Sequence, residues 1–133
     1  MDRIRNNVEV FKLSPPWDNL SKRHAGSYRL TASGACGSTT GTTRTNDPTP
    51  DLADLSPGDG PKGDRIYVAL RGPFPLTVSH AADGSCPGLG IIDLSPNRQS
   101  GNLTAVMGTT VLNADGSRNL SDPHAAIVRK KGR

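Results

Sequence analysis

The sequence predicts an all-β fold, and three observations carry that reading. Short runs rich in β-branched and aromatic residues recur along the chain and stop at Pro, Gly, Ser or Asp turn chemistry. No ten-residue stretch combines a helical apolar period with caps at its ends. The 133 residues include 15 Gly and 11 Pro, a load that disfavours a helical bundle. The length suits one domain. With 33% hydrophobic and 4% aromatic residues, the core it can bury is thin and poor in rings.

In chain order, residues 7–13 mostly alternate apolar with polar and end at Ser14-Pro15-Pro16. Residues 27–32 read as a second strand, followed by a Ser/Thr/Gly-rich loop over 33–50. Residues 51–55 form a short strand that stops at Ser56-Pro57-Gly58. Arg65-Ile-Tyr-Val-Ala-Leu70 has the richest β-forming composition, and Gly72-Pro73 ends it. Residues 89–94 stop at Ser95-Pro96, residues 102–107 follow, and residues 124–128 come last. Asp83-Gly84-Ser85 and Asp115-Gly116-Ser117 read as turns, because Asp hydrogen-bonds forward and Gly accepts positive φ.

The strands repeat. Val8-Glu-Val-Phe-Lys-Leu-Ser-Pro15 aligns with Leu89-Gly-Ile-Ile-Asp-Leu-Ser-Pro96, Leu30-Thr-Ala32 with Leu103-Thr-Ala105, and Asp47-Pro48 with Asp122-Pro123. The offsets are 81, 73 and 75 residues, in the same order along the chain. A unit of that length exceeds the ~40–50 residues of a propeller blade, and the loops over 33–50 and 72–88 account for the excess.

Asp64-Arg-Ile-Tyr-Val-Ala-Leu-Arg-Gly-Pro73, Pro87-Gly-Leu-Gly-Ile-Ile-Asp-Leu94 and Asp122-Pro-His-Ala-Ala-Ile-Val-Arg129 resemble YVTN-type, lactonase-like β-propeller repeats. In those repeats an Arg-Ile/Val-Tyr-Val strand precedes one ending Val-Ile-Asp-Leu, and an Asp-Pro-His or Pro-His-Gly start opens the next blade. The likeness covers residues 47–129 and, more faintly, 6–32. Ala125 stands where such repeats often carry Gly, and two long loops are inserted. The resemblance implies antiparallel four-stranded blades in a partial propeller. Residues 1–32 would supply the outer two strands of one blade, 33–50 a loop, and 51–107 a complete blade with 72–88 inserted. Residues 108–133 would then hold a connecting loop, the opening strand of the next blade and a basic tail. A ring closes with typically four to eight blades, so the expected partners are other propeller blades, from copies of this chain or from a longer parent. The resemblance leans toward an exported parent, whereas the basic residues near Met1 are followed by no apolar segment and predict no cleavable signal.

Charge and motifs narrow the function classes. The formal net charge is +4, part of it in Arg3, Arg5, Arg129, Lys130, Lys131 and Arg133 at the chain ends. No aromatic stripe accompanies it, so nucleic acid is not an expected partner. No 18-residue apolar run exists, so no helical membrane span is expected. Cys36 and Cys86 could close a disulfide or stay reduced; neither has CxxC spacing, and only His24, His80 and His124 could join them, so no zinc site is expected. Gly88-Leu-Gly90 lacks the third glycine of a dinucleotide fingerprint, and neither a P-loop nor a calcium loop is present. No cofactor is therefore expected. Sequons at Asn19, Asn102 and Asn119 matter only on a secretory route.

In the propeller reading, strand alternation sets the loops over 33–50, 72–88 and 108–123 on one face of the ring. Cys36, Asp47, His80, Asp83, Cys86, Asp122 and His124 are thus expected on or near one rim, where ligand sites of that fold often lie. The candidate catalytic pair is His124 with Asp122. The imidazole could face the channel as ligand or base, or anchor the strand start by hydrogen bonding. Thr49 stands at the equivalent position of the earlier repeat. Trp17 is expected to pack on a neighbouring sheet. Three readings of function follow: a non-catalytic binding or scaffold module, part of a lactonase-like or redox enzyme with its site on the long-loop rim, or a truncated reading frame without independent function.

Overall fold

The computed structural model describes residues 1–13, 23–36, 39–40, 43–44, 46–57, 63–72, 84–119 and 121–129. Trp17, Asn19, His80, Asp83, Lys130, Lys131 and Arg133 lie outside the described residues. The described chain is all-β, with one 3-10 turn over Leu30–Ser33. No described helix is long and apolar enough to cross a membrane.

Strands β1 (Asn7–Phe11) and β2 (His24–Arg29) pair antiparallel. Strands β3 (Thr39–Thr40) and β4 (Thr43–Arg44) form a minimal hairpin within the Ser/Thr/Gly stretch. Strands β5 (Pro50–Leu55), β6 (Arg65–Leu70), β7 (Gly88–Leu94) and β8 (Gly101–Gly108) then build a four-stranded antiparallel sheet in the order β5-β6-β7-β8. Strands β9 (Val111–Leu112) and β10 (Arg118–Asn119) close a second small hairpin. Its turn rests on Asp115, whose Oδ1 accepts from the Ser117 N–H at 2.9 Å while Gly116 takes φ 80.

Two segments depart from the expected strands. Pairing between β1 and β2 ends at Asn7↔Arg29, because Asn6 at φ 57 turns the partner strand away. Leu30 still donates to the Asn6 carbonyl at 2.9 Å, and the chain then coils into the 3-10 turn, closed by Gly34 at φ 67. The same Leu-Thr-Ala tripeptide at 103–105 is a strand in β8. Residues 124–128 form no strand. Leu52 donates one backbone bond to the His124 carbonyl at 3.2 Å, but the Val128 N–H goes to Asp54 Oδ2 at 3.0 Å instead of to a ladder. Pro123, with no N–H, cannot extend the pairing backward.

One face of the four-stranded sheet is covered by the β1–β2 pair and the 3-10 turn. Val68, Leu70, Ile92 and Leu103 meet Val8, Leu30 and Cys36 there, and Tyr28, opposite Val8, packs on the same cluster. Full burial of such side chains stabilises by about 1.5–3 kcal/mol each. Paired residues share a face, so Tyr67, Ile91 and Ala105 lie together on the other side, with Ala69, Leu89 and Met107 beside them. That side is open. Tyr67, Leu89 and Ile91 are half-buried, while Met107 is 60% and Leu52 of the adjoining strand 63% exposed.

A disulfide joins Cys36, just beyond the 3-10 turn, to Cys86 at the entrance of β7, with Cα atoms 5.6 Å apart. Together with the Ser33 hydroxyl, which donates to the Leu103 carbonyl, it fastens the two sheets to each other.

Candidate functional site

Arg71 follows β6 directly and is 1% exposed, so its charge must be matched inside the fold. Asp122 takes it in a two-pronged pair: Nε donates to Oδ1 at 2.6 Å and Nη2 to Oδ2 at 2.5 Å. Nη1 donates to Asp51 Oδ2 at 2.9 Å and to His124 Nδ1 at 3.0 Å. Asp51 also pairs with Arg3 at 3.2 Å, and His124 Nε2 lies 3.5 Å from Asp122 Oδ2. The Arg71 hydrogen bonds hold the Asp122 carboxyl below its ordinary range, and Asp122 in turn raises the guanidinium above its own. His124 is half exposed and covers the cluster like a cap, with both ring nitrogens facing its members. The Nδ1 position therefore accepts, which sets the proton of the neutral ring on Nε2.

The earlier Asp-Pro is clasped differently. Asn6 Nδ2 donates to Asp47 Oδ1 at 2.5 Å, and Asn6 Oδ1 accepts the Thr49 N–H at 2.6 Å. The Asp47 N–H donates to the Ser85 hydroxyl at 2.9 Å, and the Ser85 N–H to the Asp47 carbonyl at 2.8 Å. Both Asn6 (φ 57) and Thr49 (φ 42) are left-handed, costly for any side chain and most for β-branched Thr.

These contacts join into a belt along one edge of the fold. It runs from the disulfide through Ser85, Asp47 and Asn6 to Thr49, whose carbonyl accepts the Arg71 N–H at 3.1 Å. It continues through Gly72, whose N–H donates to Asp122 Oδ1 at 3.1 Å. Backbones approach so closely here that a Cβ on Gly72 would overlap the Ser121 carbonyl, and one on Gly84 the Arg71 carbonyl.

Of the residues expected on one rim, Cys36, Asp47, Cys86, Asp122 and His124 all belong to this belt, whereas His80 and Asp83 lie outside the described residues. Asp122 and His124 are brought together, yet around a buried arginine. Sequence reasoning missed Arg71, Asp51, Asn6 and Ser85. A signal for Arg71 existed: a cation placed at the end of an apolar strand run demands a carboxylate partner. No group of three His, Cys, Asp and Glu side chains able to hold a metal ion occurs among the described residues. No family model, curated protein or solved structure matches this chain.

Proposed function

We propose that the chain is a non-catalytic scaffold module, a partial β-propeller whose open sheet face receives a further blade of the same kind. One observation carries the reading. In the repeat register Val8 and Val10 correspond to Leu89 and Ile91. Val8, with Tyr28 opposite, faces the next sheet and is buried against it, whereas Leu89 and Ile91 are half-buried on a face that nothing described covers. A propeller passes the same face from blade to blade, so the equivalent positions call for an equivalent cover. The meander order β5-β6-β7-β8 is that of one blade. His124, with both nitrogens turned to the belt, acts in this reading as an anchor for the segment that follows it.

Light scattering with far-UV dichroism on the same sample tests it. A β-rich assembly of several chains that Met107→Glu and Leu52→Glu shift toward monomer supports the proposal. A folded monomer that binds no fluorescent apolar probe overturns it. A coil-like spectrum overturns independent folding and moves the question to a longer parent.

A further inference from the structure

The belt has a hollow on its N-terminal side, apart from the Arg71 cluster and from the open sheet face. It is a cavity of about 310 Å³ lined by Arg5, Asn6, Arg29, Thr31, Asn46 and Asp47 together with Ile4. That volume lies at the lower end of small-molecule sites. Its walls are polar, and they are fixed. Asn6 is held at both ends of its amide by Asp47 and Thr49, and the left-handed backbone at Asn6 and Thr49 stores strain of the kind found at binding sites. Asn46 is 8% exposed; its Nδ2 donates to the Thr31 carbonyl at 2.5 Å, while its buried Oδ1 has no partner among the described residues. That oxygen is sealed from solvent, and a buried acceptor without a donor is costly, so a ligand hydroxyl that drew the amide toward the hollow would relieve it. At the mouth, Arg29 makes no ion pair among the described residues, and Arg5 reaches Asp2 only at 3.9 Å. Two guanidinium groups thus border a hollow that contains a single carboxylate.

We propose that this cavity binds a compact polyhydroxy anion, a skeleton of about monosaccharide size carrying one carboxylate or phosphate. Arg29 and Arg5 take the anionic group, which suits their planar donor forks. Asn46 Oδ1, once its amide turns to the hollow, and the Thr31 side chain receive hydroxyls. Asp47 repels a second anionic group at the inner wall and limits the ligand to one.

The test is calorimetric titration of the oxidised full chain at low salt with glucuronate, glucose monophosphate, glucose and inorganic phosphate. At least one of the two anionic sugars should bind about tenfold tighter than both glucose and inorganic phosphate, and which one does so assigns the carboxylate or the phosphate. Arg29→Gln, an exposed strand position that should leave the dichroism unchanged, should weaken binding about tenfold, and Arg5→Gln should weaken it in the same direction. The Asn46 side-chain amide resonances should shift on saturation. Absence of binding by either anionic sugar, affinity no better than that of inorganic phosphate, or affinity unchanged in both arginine variants would overturn the proposal.

Discussion

Arg71 shows how one residue can organise a rim. A guanidinium with almost no exposure is tolerable only because two carboxylates and an imidazole take its donors. Arg71→Met should cost about 3–5 kcal/mol in denaturant unfolding, since it strips Asp122 of its counter-ion and leaves Asp51 with Arg3 alone. His124→Ala should cost less than about 1 kcal/mol, because water reaches that half-exposed site and Asp51 still accepts from Nη1. Asp122 makes the cluster pH-dependent. Its folded pKa lies below the ordinary 3.8, so its contribution is complete above that value and is lost as pH falls through the folded one. Stability measured against pH should therefore drop in strong acid, and Asp122→Asn should flatten that drop. Asp122 and His124 were legible in the sequence as an Asp-Pro-His start. Arg71 was legible only as a cation ending an apolar strand run; its partner, 51 residues away, was not.

At the scale of elements, the four strands of the main sheet lie within one residue of the expected ranges, since each is a β-rich run closed by Pro or Gly chemistry. Reading failed where tertiary contacts overrode local preference. Leu30-Thr-Ala32 has the composition of Leu103-Thr-Ala105, yet only the second finds a partner strand, β7, which Leu103 and Ala105 pair with across a bulge at Thr104. Likewise the run at 124–128 has strand composition, but Asp54 takes the donor a ladder would need. Within β7, Gly90 lies where side chains from both neighbouring strands converge. An added Cβ would stand 2.9 Å from Val68 Cγ1, 3.0 Å from Leu103 Cδ1 and 3.1 Å from Leu70 Cδ1. Gly90→Ala should therefore destabilise by about 1–2 kcal/mol, the overpacking outweighing the entropy gained in the unfolded chain. The midpoint of a urea titration reads this directly.

At the scale of the whole molecule, the sequence conveyed an all-β chain punctuated by turn chemistry. It did not convey how tightly the two sheets are tied. That follows from Cys36 and Cys86, for which the sequence left both pairing and free thiols open and leaned toward free thiols. The structure sets them on adjoining ends of the two sheets, where the bridge spans 50 residues of chain. Closing a loop of that length removes unfolded-state entropy worth about 4 kcal/mol, against a core with a handful of fully buried apolar side chains among the described residues. The Val8–Tyr28–Leu30 patch, the Ser33 bond and the Asn6 bonds to Asp47 and Thr49 keep the β1–β2 pair seated beside the bridge, so reduction should be felt there first. Hydrogen exchange on the reduced chain should show the amides of β1 and β2 exchanging well before those of β6 and β7, with the denaturation midpoint lowered in parallel. Equal loss of protection across all four of these strands would mean that the two sheets unfold as one unit and that the bridge stabilises them only through the unfolded chain.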